Sequence, residues 1–228
     1  RRAAEFMGQD YRRVKTIVCH LGNGASICAV KYGQVVDNSM GFTPLEGLVM
    51  GTRCGDVDAG ALEYLAKKEN LDFQQIMTIL NQESGVLGIS SNFSSDFREL
   101  KDAEIKYNDK AALAREIFVY RVAKYIGSYA AAMNGVDNIV FTAGVGENDS
   151  DIREQICEYL EFLGIAIDEV KNREQGEAVR ISDGASRVNV LVIKTNEELE
   201  IAREAAAVAA QVTENRETKA KGAAHHAE

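Results

Sequence analysis

Three strand-like runs joined by very short links open this chain, and they restrict its fold more than any other feature. Residues 15–21, 25–32 and 34–40 are rich in β-branched and apolar side chains. The links between them are short and contain glycine, which favours antiparallel hairpins because parallel neighbours need a long crossover connection. The chain therefore begins with antiparallel strands.

Helical and strand-like segments alternate in the remaining sequence. The spacing of apolar residues predicts helices over 57–69, from Asp72 (with Gln75 as capping partner), from near Ser94, and over 111–134, 150–163 and 196–213. The 111–134 helix carries the strongest signal, an apolar stripe from Leu113 to Met133 with Gly135 as its stop. Strand-like runs at 136–142 and 188–193 lie among these helices. Together they predict an α/β domain with a mixed sheet.

The charge balance excludes some functions. The chain has 26 Lys and Arg against 35 Asp and Glu, a net charge of −9 over 228 residues. General nucleic-acid binding is disfavoured because it relies on Lys and Arg to neutralise phosphates, whereas binding one nucleotide needs only local donors. No apolar run approaches the roughly 20 residues that cross a bilayer, so no membrane partner is expected.

The cysteines are scattered and form no CxxC pair. They are Cys19, Cys28, Cys54 and Cys157. This pattern suggests neither a disulfide framework nor a zinc site, and it fits a reducing cytoplasm. The first two lie in apolar strand-like runs, where we expect them to be small buried side chains.

The two ends of the chain differ from its middle. Residues 1–7 contain no apolar core of signal-peptide length and resemble a helix entered midway, so we expect residues 1–14 to end a preceding helix. Residues 214–228 are charged and rich in Ala and His, without apolar periodicity, and are expected to be a disordered tail. The sequence thus predicts one domain over residues 1–213.

Three glycine-rich segments, each after a predicted strand, are the candidate ligand-binding loops. They are residues 20–26, 50–56 and 142–148. Glycine lets backbone N–H groups approach a phosphate, and a helix after the loop adds its dipole, although most single glycine turns only turn the chain. None of the three matches a P-loop or a GxGxxG opening a helix after a first strand, which disfavours Walker ATPases and Rossmann dehydrogenases.

Two side chains in these segments each have two interpretations. Arg53 lies between Gly51 and Gly55, so its planar guanidinium either binds a phosphoryl group or is an ordinary surface charge. His20 ends a buried-looking strand, where a histidine is more often a partly buried structural residue than a catalyst.

Acidic residues at two predicted helix starts are similarly ambiguous. Thr195 and Glu198 form a capping box for the last helix, and Glu197 between them either favours the helix start or holds Mg²⁺ through oxygen. The segment 96–98, Asp-Phe-Arg, either caps a helix or contacts a base and ribose.

Six segments, in order, closely resemble acetate kinases of the short-chain carboxylate kinase family. They read CHLGNGAS, DNSMGFTPLEGLVMGTRCGDVD, SGVLGIS, SSDFREL, IGSYAAAMNGVDNIVFTAGVGEN and TNEELEIA. The resemblance spans about residues 1–210, and the FTPLEG–MGTR segment is highly specific to this family.

The resemblance implies a fold and a reaction. Such kinases belong to the superfamily of sugar kinases, actin and chaperone ATPases, with two ribonuclease-H-like domains and ATP bound between them. This chain is similar to the C-terminal, nucleotide-binding domain. The implied reaction is phosphoryl transfer between ATP and acetate, giving ADP and acetyl phosphate, with Mg²⁺ or alternatively Mn²⁺. A cytoplasmic homodimer is implied as well.

The resemblance also implies roles for individual residues. Arg53 would stabilise the transferring phosphoryl group, Pro44 would line the pocket for the acetate methyl group, and Glu197 would hold Mg²⁺. The implied ATP-binding residues are His20, Leu21, Gly22, Asn23, Gly24, Asp96, Phe97, Arg98, Gly144, Val145, Gly146, Glu147 and Asn148, the last five as a second nucleotide loop.

The chain departs from the family in its extent. The N-terminal domain of these kinases, with its phosphate, arginine, aspartate and histidine motifs, has no counterpart in the 228 residues, so we expect nucleotide binding without turnover of acetate by this chain alone. Three alternatives stay open: a propionate or butyrate kinase, a non-catalytic ATP-binding module of the same superfamily, and an interaction domain.

Overall fold

A six-stranded mixed sheet forms the centre of the protein. Its strands are β1 Lys15–Leu21, β2 Ala25–Lys31, β3 Gln34–Asn38, β4 Asn138–Thr142, β5 Ala178–Arg180 and β6 Asn189–Ile193, in the order β3-β2-β1-β4-β6-β5. β1 is antiparallel to β2 and parallel to β4, and β6 is parallel to β4. β3 and β5 are antiparallel edge strands. The predicted mixed α/β sheet with antiparallel strands at its start is confirmed.

The computed structural model describes residues 1–196 together with 198, 201–203, 205, 206, 208, 209 and 211. Residues 1–194 form one compact unit, and the chain from Thr195 onward forms another. In the second unit the described residues from 198 to 211 are helical, in agreement with the predicted helix over 196–213. Glu197 and the predicted tail at 214–228 lie outside the described residues.

Nine α-helices precede Thr195 in the described chain. They are α1 Arg2–Phe6, α2 Ala59–Glu69, α3 Phe73–Gln82, α4 Gly85–Ile89, α5 Phe97–Ile105, α6 Asp109–Met133, α7 Ala143–Asn148, α8 Ser150–Glu158 and α9 Glu169–Asn172. The capping box predicted between Asp72 and Gln75 is present at the start of α3. Within the described residues, none of the helices combines the length and apolar character needed to span a membrane.

The long helix α6 supplies much of the core. Phe118 and Ile126 are fully buried in one apolar cluster with Ile17 of β1. Leu113, which the sequence places in the apolar stripe, is 41% exposed, so that assignment was wrong. The buried positions 111, 114, 118 and 122 follow three- and four-residue spacing, and residue 113 falls outside the face that they define. The helix stops at Asn134 and Gly135, both with positive φ, as predicted.

Three elements of three to five residues were not predicted from the sequence, because each is too short to show a clear periodicity. They are α4, α9 and β5. The helix predicted over 150–163 ends earlier, at Glu158, and a 3₁₀ turn over Glu161–Leu163 follows it. The chain then turns at Gly164, which has a φ of +78°.

Residues 39–58 form a long segment without helix or strand, and hydrogen bonds between residues 47 and 56 close its second half. The Asp56 N–H donates to Gly47 O at 3.0 Å, and Asp56 Oδ1 accepts from Gly47 N at 2.9 Å. Asp56 Oδ2 accepts from Arg121 Nη2 at 2.6 Å and from the Tyr125 hydroxyl at 2.7 Å. Asp56 therefore fixes this segment to α6.

Candidate functional site

A cleft of about 870 Å³ opens where the parallel strands β1 and β4 end. Its lining draws on three segments that the sequence singled out, and it consists of Gly22, Asn23, Ser95, Asp96, Phe97, Arg98, Lys101, Asp102, Gly144, Val145, Asn148 and Asp149. Because parallel strands end at the same edge of a sheet, the turn after β1 and the segment after β4 are brought side by side.

The first glycine-rich segment is a tight turn after β1. Gly22 N donates to Gly24 O at 3.1 Å, which closes the turn. A Cβ at residue 22 would lie 3.3 Å from Gly24 O and 3.7 Å from the Cβ of Ala143. The small residue at this position therefore lets the turn pack closely against the start of α7, while Asn23 and Gly24 stay exposed.

Arg53 lies beside this turn. Gly51 N donates to Asn23 O at 2.9 Å, which joins the second glycine-rich segment to the first. Met50 N donates to Arg53 O at 3.1 Å. The half-buried guanidinium of Arg53 places Nη1 3.6 Å from Met50 Sδ and 3.5 Å from where a Cβ on Gly24 would be. Its planar donor group is thus held against an exposed backbone turn.

The second glycine-rich segment does not follow a strand, and this corrects the expectation that all three do. The preceding strand, β3, ends at Asn38, well before Met50. The start of α4 holds the segment instead: Val86 N donates to Met50 O at 2.8 Å, and Leu87 N donates to Gly51 O at 3.0 Å. The predicted strand at 34–40 is present as β3, but backbone hydrogen bonds to the short helix α4, and not the end of that strand, hold this segment.

The third glycine-rich segment is helical and not a loop, which corrects the prediction of a second nucleotide loop over 144–148. The backbone turns at Ala143, whose φ is +66°, and enters α7 immediately. Glu147 Oε1 accepts from Ala143 N at 2.8 Å, so a side chain closes the first turn of the helix. Gly144 and Asn148 remain exposed in the cleft.

The Asp96–Arg98 segment caps α5, which confirms the capping interpretation. The segment also lines the cleft, and its contact with a base and ribose stays a prediction. Asp96 Oδ1 accepts from Arg98 N at 2.8 Å, and Oδ2 accepts from Arg98 Nη2 at 2.7 Å. These hydrogen bonds from Arg98 lower the pKa of Asp96 to about 2. The Phe97 ring is buried and lies 4.5 Å from the Phe118 ring, so Arg98 is the exposed contact surface.

Two buried arginines near the cleft were not found from the sequence. Arg153 donates to Gly146 O at 2.9 Å and to Glu147 O at 3.0 Å, so it binds the carbonyl end of α7, and burial lowers its pKa. Arg115 pairs with Glu104 and Asp149. The position of Arg115 next to Ala114 in the apolar stripe was the available signal, because a charge on a buried face must have partners.

Several residues that the resemblance implies are not in the lining of the cleft among the described residues. Leu21 is fully buried in the core, and His20 is half-buried on the other face of β1. Pro44 is exposed in the 39–58 segment. Gly24, Gly146 and Glu147 adjoin lining residues in sequence, and Arg53 adjoins Gly24.

The described residues contain no group of three or more His, Cys, Asp or Glu side chains that could hold a metal ion. Glu197, the predicted metal ligand, is outside that part of the chain. All four cysteines are free thiols. Burial raises the pKa of Cys157 to about 12 and that of Cys19 well above its ordinary value, so neither is a reactive nucleophile.

Antiparallel strands followed by parallel strands, with a cleft at the ends of β1 and β4, define an α/β protein with the actin and sugar kinase type of fold. The model of the acetokinase family matches residues 1–203, and the chain belongs to that family.

Individual relatives agree with this assignment. The chain is 57% identical over 211 residues to an acetate kinase of Helicobacter hepaticus, covering 92% of this chain and 52% of that protein. It is 56% identical over 206 residues to an acetate kinase of Thermotoga maritima, covering 90% of this chain and 51% of that protein. The chain thus spans about half the length of the curated relatives it matches.

Two solved structures are similar to this fold. A crystal structure of Porphyromonas gingivalis acetate kinase has a TM-score of 0.86 and 48% identity, covering 89% of this chain and 51% of that one. A crystal structure of a propionate kinase from Francisella tularensis has a TM-score of 0.82 and 43% identity, with the same coverage of 89% and 51%.

Proposed function

We propose that this chain is the nucleotide-binding half of an acetate kinase, which transfers the terminal phosphoryl group of ATP to acetate and gives ADP and acetyl phosphate. Membership of the acetokinase family supports this proposal. One observation carries it: residues 22–23, residues 96–98, and Gly144, Val145 and Asn148, which are far apart in sequence, line one cleft. Arg53 lies beside the first of these segments.

The phosphate chain is assigned to the turn at 22–24. An exposed turn with little side chain lets backbone N–H groups approach phosphate oxygens, and Arg53 adds a positive charge beside it. The nucleoside is assigned to the walls at 96–102 and 144–149. These walls combine the exposed cation Arg98 with the apolar Val145, which suits a base and a ribose.

Arg53 is the proposed catalytic residue. In the reaction an acetate oxygen forms a bond to the terminal phosphorus while the bond to the ADP oxygen breaks, and negative charge spreads over the phosphoryl oxygens. A guanidinium stays charged and presents paired N–H donors to such oxygens. A donor already held in place costs no reorganisation when the charge develops, so Arg53 would lower the barrier more than it tightens binding.

Mg²⁺ is proposed to enter with the triphosphate. This ion keeps several waters and binds phosphate oxygens with one or two carboxylates, so a dedicated protein cage is not required. Glu197 stays the proposed protein ligand, on the strength of its position directly after the segment that follows β6. Mn²⁺, which shares the preference for oxygen ligands, is the proposed substitute.

The other properties of the whole enzyme are proposals of the same kind. We propose that residues 1–213 act as its nucleotide-binding domain, with 1–14 ending a preceding helix and 214–228 a tail, and that it is a cytoplasmic homodimer. Because the chain matches about half the length of acetate kinases, these residues alone are expected to bind nucleotide without converting acetate. Pro44 is the proposed contact for the acetate methyl group.

Propionate is the second candidate substrate. The similarity to a propionate kinase structure, at 43% identity, supports it. One methylene changes binding by only about 1–3 kcal/mol, so related sites can accept both acids. Comparing kcat/KM for acetate, propionate and butyrate in the full-length enzyme decides between them.

The proposal is tested in two steps. Isothermal titration of the 228-residue chain with ADP and with pyrophosphate should give saturable binding of both. The full-length protein supplied with ADP and acetyl phosphate should form ATP. Binding of ADP without ATP formation from any short acyl phosphate would instead support a non-catalytic ATP-binding module, and absence of ADP binding would contradict the nucleotide site itself.

A further inference from the structure

A buried arginine outside the cleft connects the two elements that form its walls. Arg115 of α6 is 1% exposed. Its Nε donates to Glu104 Oε2 at 2.6 Å, and its Nη1 donates to Asp149 Oδ2 at 2.7 Å. Burying a guanidinium is costly unless it is paired, and replacement by apolar packing is often neutral or stabilising. The retained charge therefore suggests a role in geometry rather than in stability alone.

The two partners of Arg115 belong to two different elements that contribute walls of the cleft. Glu104 lies in the last turn of α5, whose first turn carries the Asp96–Arg98 segment. Asp149 lines the cleft and joins α7 to α8, since its N–H donates to Val145 O at 3.0 Å and its Oδ1 accepts from Ile152 N at 3.2 Å. Arg115 thus links both walls through α6.

A second link crosses between the walls. Lys101 of α5 lies 2.8 Å from Asp151 Oδ2 and 3.6 Å from Asp149 Oδ1. Asp149 therefore faces two cations, and of these Lys101 lines the cleft whereas Arg115 does not. Any effect of Arg115 on a ligand must pass through Glu104 and Asp149.

We propose that Arg115 is a positioning residue that sets the separation of the walls holding the nucleoside. This inference rests on the proposed function. The phosphate chain is assigned to Gly22–Gly24 and Arg53, and the hydrogen bonds of Arg115 reach neither of these. Loss of Arg115 therefore weakens binding of ADP while sparing binding of pyrophosphate, which lacks the nucleoside.

The experiment titrates the full chain with ADP and with pyrophosphate, comparing Arg115→Met, Arg115→Lys and the parent. Small displacements of a binding group have large effects, so Arg115→Met should lose about tenfold in ADP affinity and less than about twofold in pyrophosphate affinity. Arg115→Lys keeps the charge but cannot reach both carboxylates. Its ADP affinity should therefore lie between those of the parent and Arg115→Met. Lys124→Met, an exposed cation on the same helix, is the matched control and should match the parent.

The outcomes separate this inference from the proposed function. If the parent binds ADP and Arg115→Met binds it equally well, or if ADP and pyrophosphate weaken together, the positioning role is overturned while the nucleotide site stands. If the parent binds neither, both proposals fall.

A milder variant covers the case in which Arg115→Met does not fold. Glu104→Gln retains the pairing of Arg115 with Asp149, and Glu104 is 35% exposed, so its removal is tolerated more easily. Glu104→Gln should lower the affinity for ADP by about threefold and leave the affinity for pyrophosphate unchanged, because only the Arg115–Glu104 hydrogen bond is weakened. Unchanged ADP affinity in this variant would overturn the inference.

Discussion

Arg53 lies directly against Gly24: its Nη1 is 3.5 Å from the position that a Cβ at residue 24 would occupy. The contact joins two segments separated by more than twenty residues, and Gly51 N, which donates to Asn23 O at 2.9 Å, holds them together. The guanidinium consequently faces the same exposed turn to which we assign the phosphate chain.

Replacing Arg53 by alanine should reduce turnover and leave nucleotide affinity nearly intact. Removing a preorganised donor to the transferring phosphoryl group lowers kcat by about 1,000-fold, since its interaction is strongest in the transition state. In the full-length protein, ATP formation from acetyl phosphate measures kcat, and ADP titration measures affinity. Arg173→Ala, at an exposed arginine that is not among the cleft-lining residues, is the control. Unchanged turnover in Arg53→Ala would make Arg53 an ordinary surface residue.

Replacing Gly85 by alanine should destabilise the segment that carries Arg53. Gly85 has a φ of +63°, and a Cβ there would lie 2.9 Å from both Arg53 O and Gly51 O and closer still to Met50 O. Left-handed strain and contact with backbone oxygens together cost about 2–4 kcal/mol. Urea unfolding measures this cost.

The control for that substitution is Gly127→Ala. Gly127 lies within α6, and apart from its chain neighbours and the nearby backbone of the helix itself, nothing lies within 4 Å of a Cβ built there. Alanine favours a helix over glycine by about 1 kcal/mol, so this variant should be more stable than the parent. Equal stabilities of the two variants would contradict the strain argument.

Replacing Asp56 by asparagine should loosen the 39–58 segment. Its carboxylate accepts from Gly47 N, Arg121 and the Tyr125 hydroxyl. Losing the charge weakens these hydrogen bonds by about 1 kcal/mol in total, because the ion pair between Asp56 and Arg121 is partly exposed to solvent. Turnover should fall with it, because Arg53 lies in this segment. Asp58→Asn is the control, since asparagine caps a helix as well as aspartate does.

Removing Arg98 should raise the pKa of Asp96, which hydrogen bonds from Arg98 hold at about 2. A carboxyl whose pKa is lower in the folded state stabilises the protein above its unfolded pKa of about 3.9 and loses that contribution as the pH falls toward 2. In Arg98→Ala the Asp96 pKa should move toward its ordinary value, measured by carboxyl NMR titration. The contribution of Asp96 to the free energy of unfolding that is lost between pH 4 and 2 should then be smaller than in the parent. An unchanged titration midpoint would contradict the pairing.

The sequence was informative wherever a local pattern determines a structure. Short glycine links fixed β1 and β2 as an antiparallel pair, and the Asp72–Gln75 capping box marked the start of α3. The sequence was misleading after β4, where the glycine-rich segment 142–148 predicted a loop but the Glu147 side chain closes a helical turn. Glycine content does not distinguish these two outcomes.

Tertiary partners explain the other differences at the site. Arg115 of α6 and Arg153 of α8 are buried because α5, α7 and Asp149 place carboxylates and carbonyls around them, and no local spacing encodes those contacts. The second glycine-rich segment is held by α4, an element too short to be recognised in advance. Sequence patterns therefore identified the segments of the cleft and not the residues that support them.

The parallel pairing of β1 with β4 has one more consequence. Gly22 and Ala143 each follow the end of one of these adjacent strands, so their separation derives from the inter-strand distance of about 4.8 Å that main-chain hydrogen bonds impose. Substitution of the side chains around Gly22 and Ala143 therefore does not alter the distance between these two positions. We therefore expect the distance between the Gly22 and Ala143 backbones, in the cleft to which we assign the nucleotide, to stay the same in homologues whose surfaces differ.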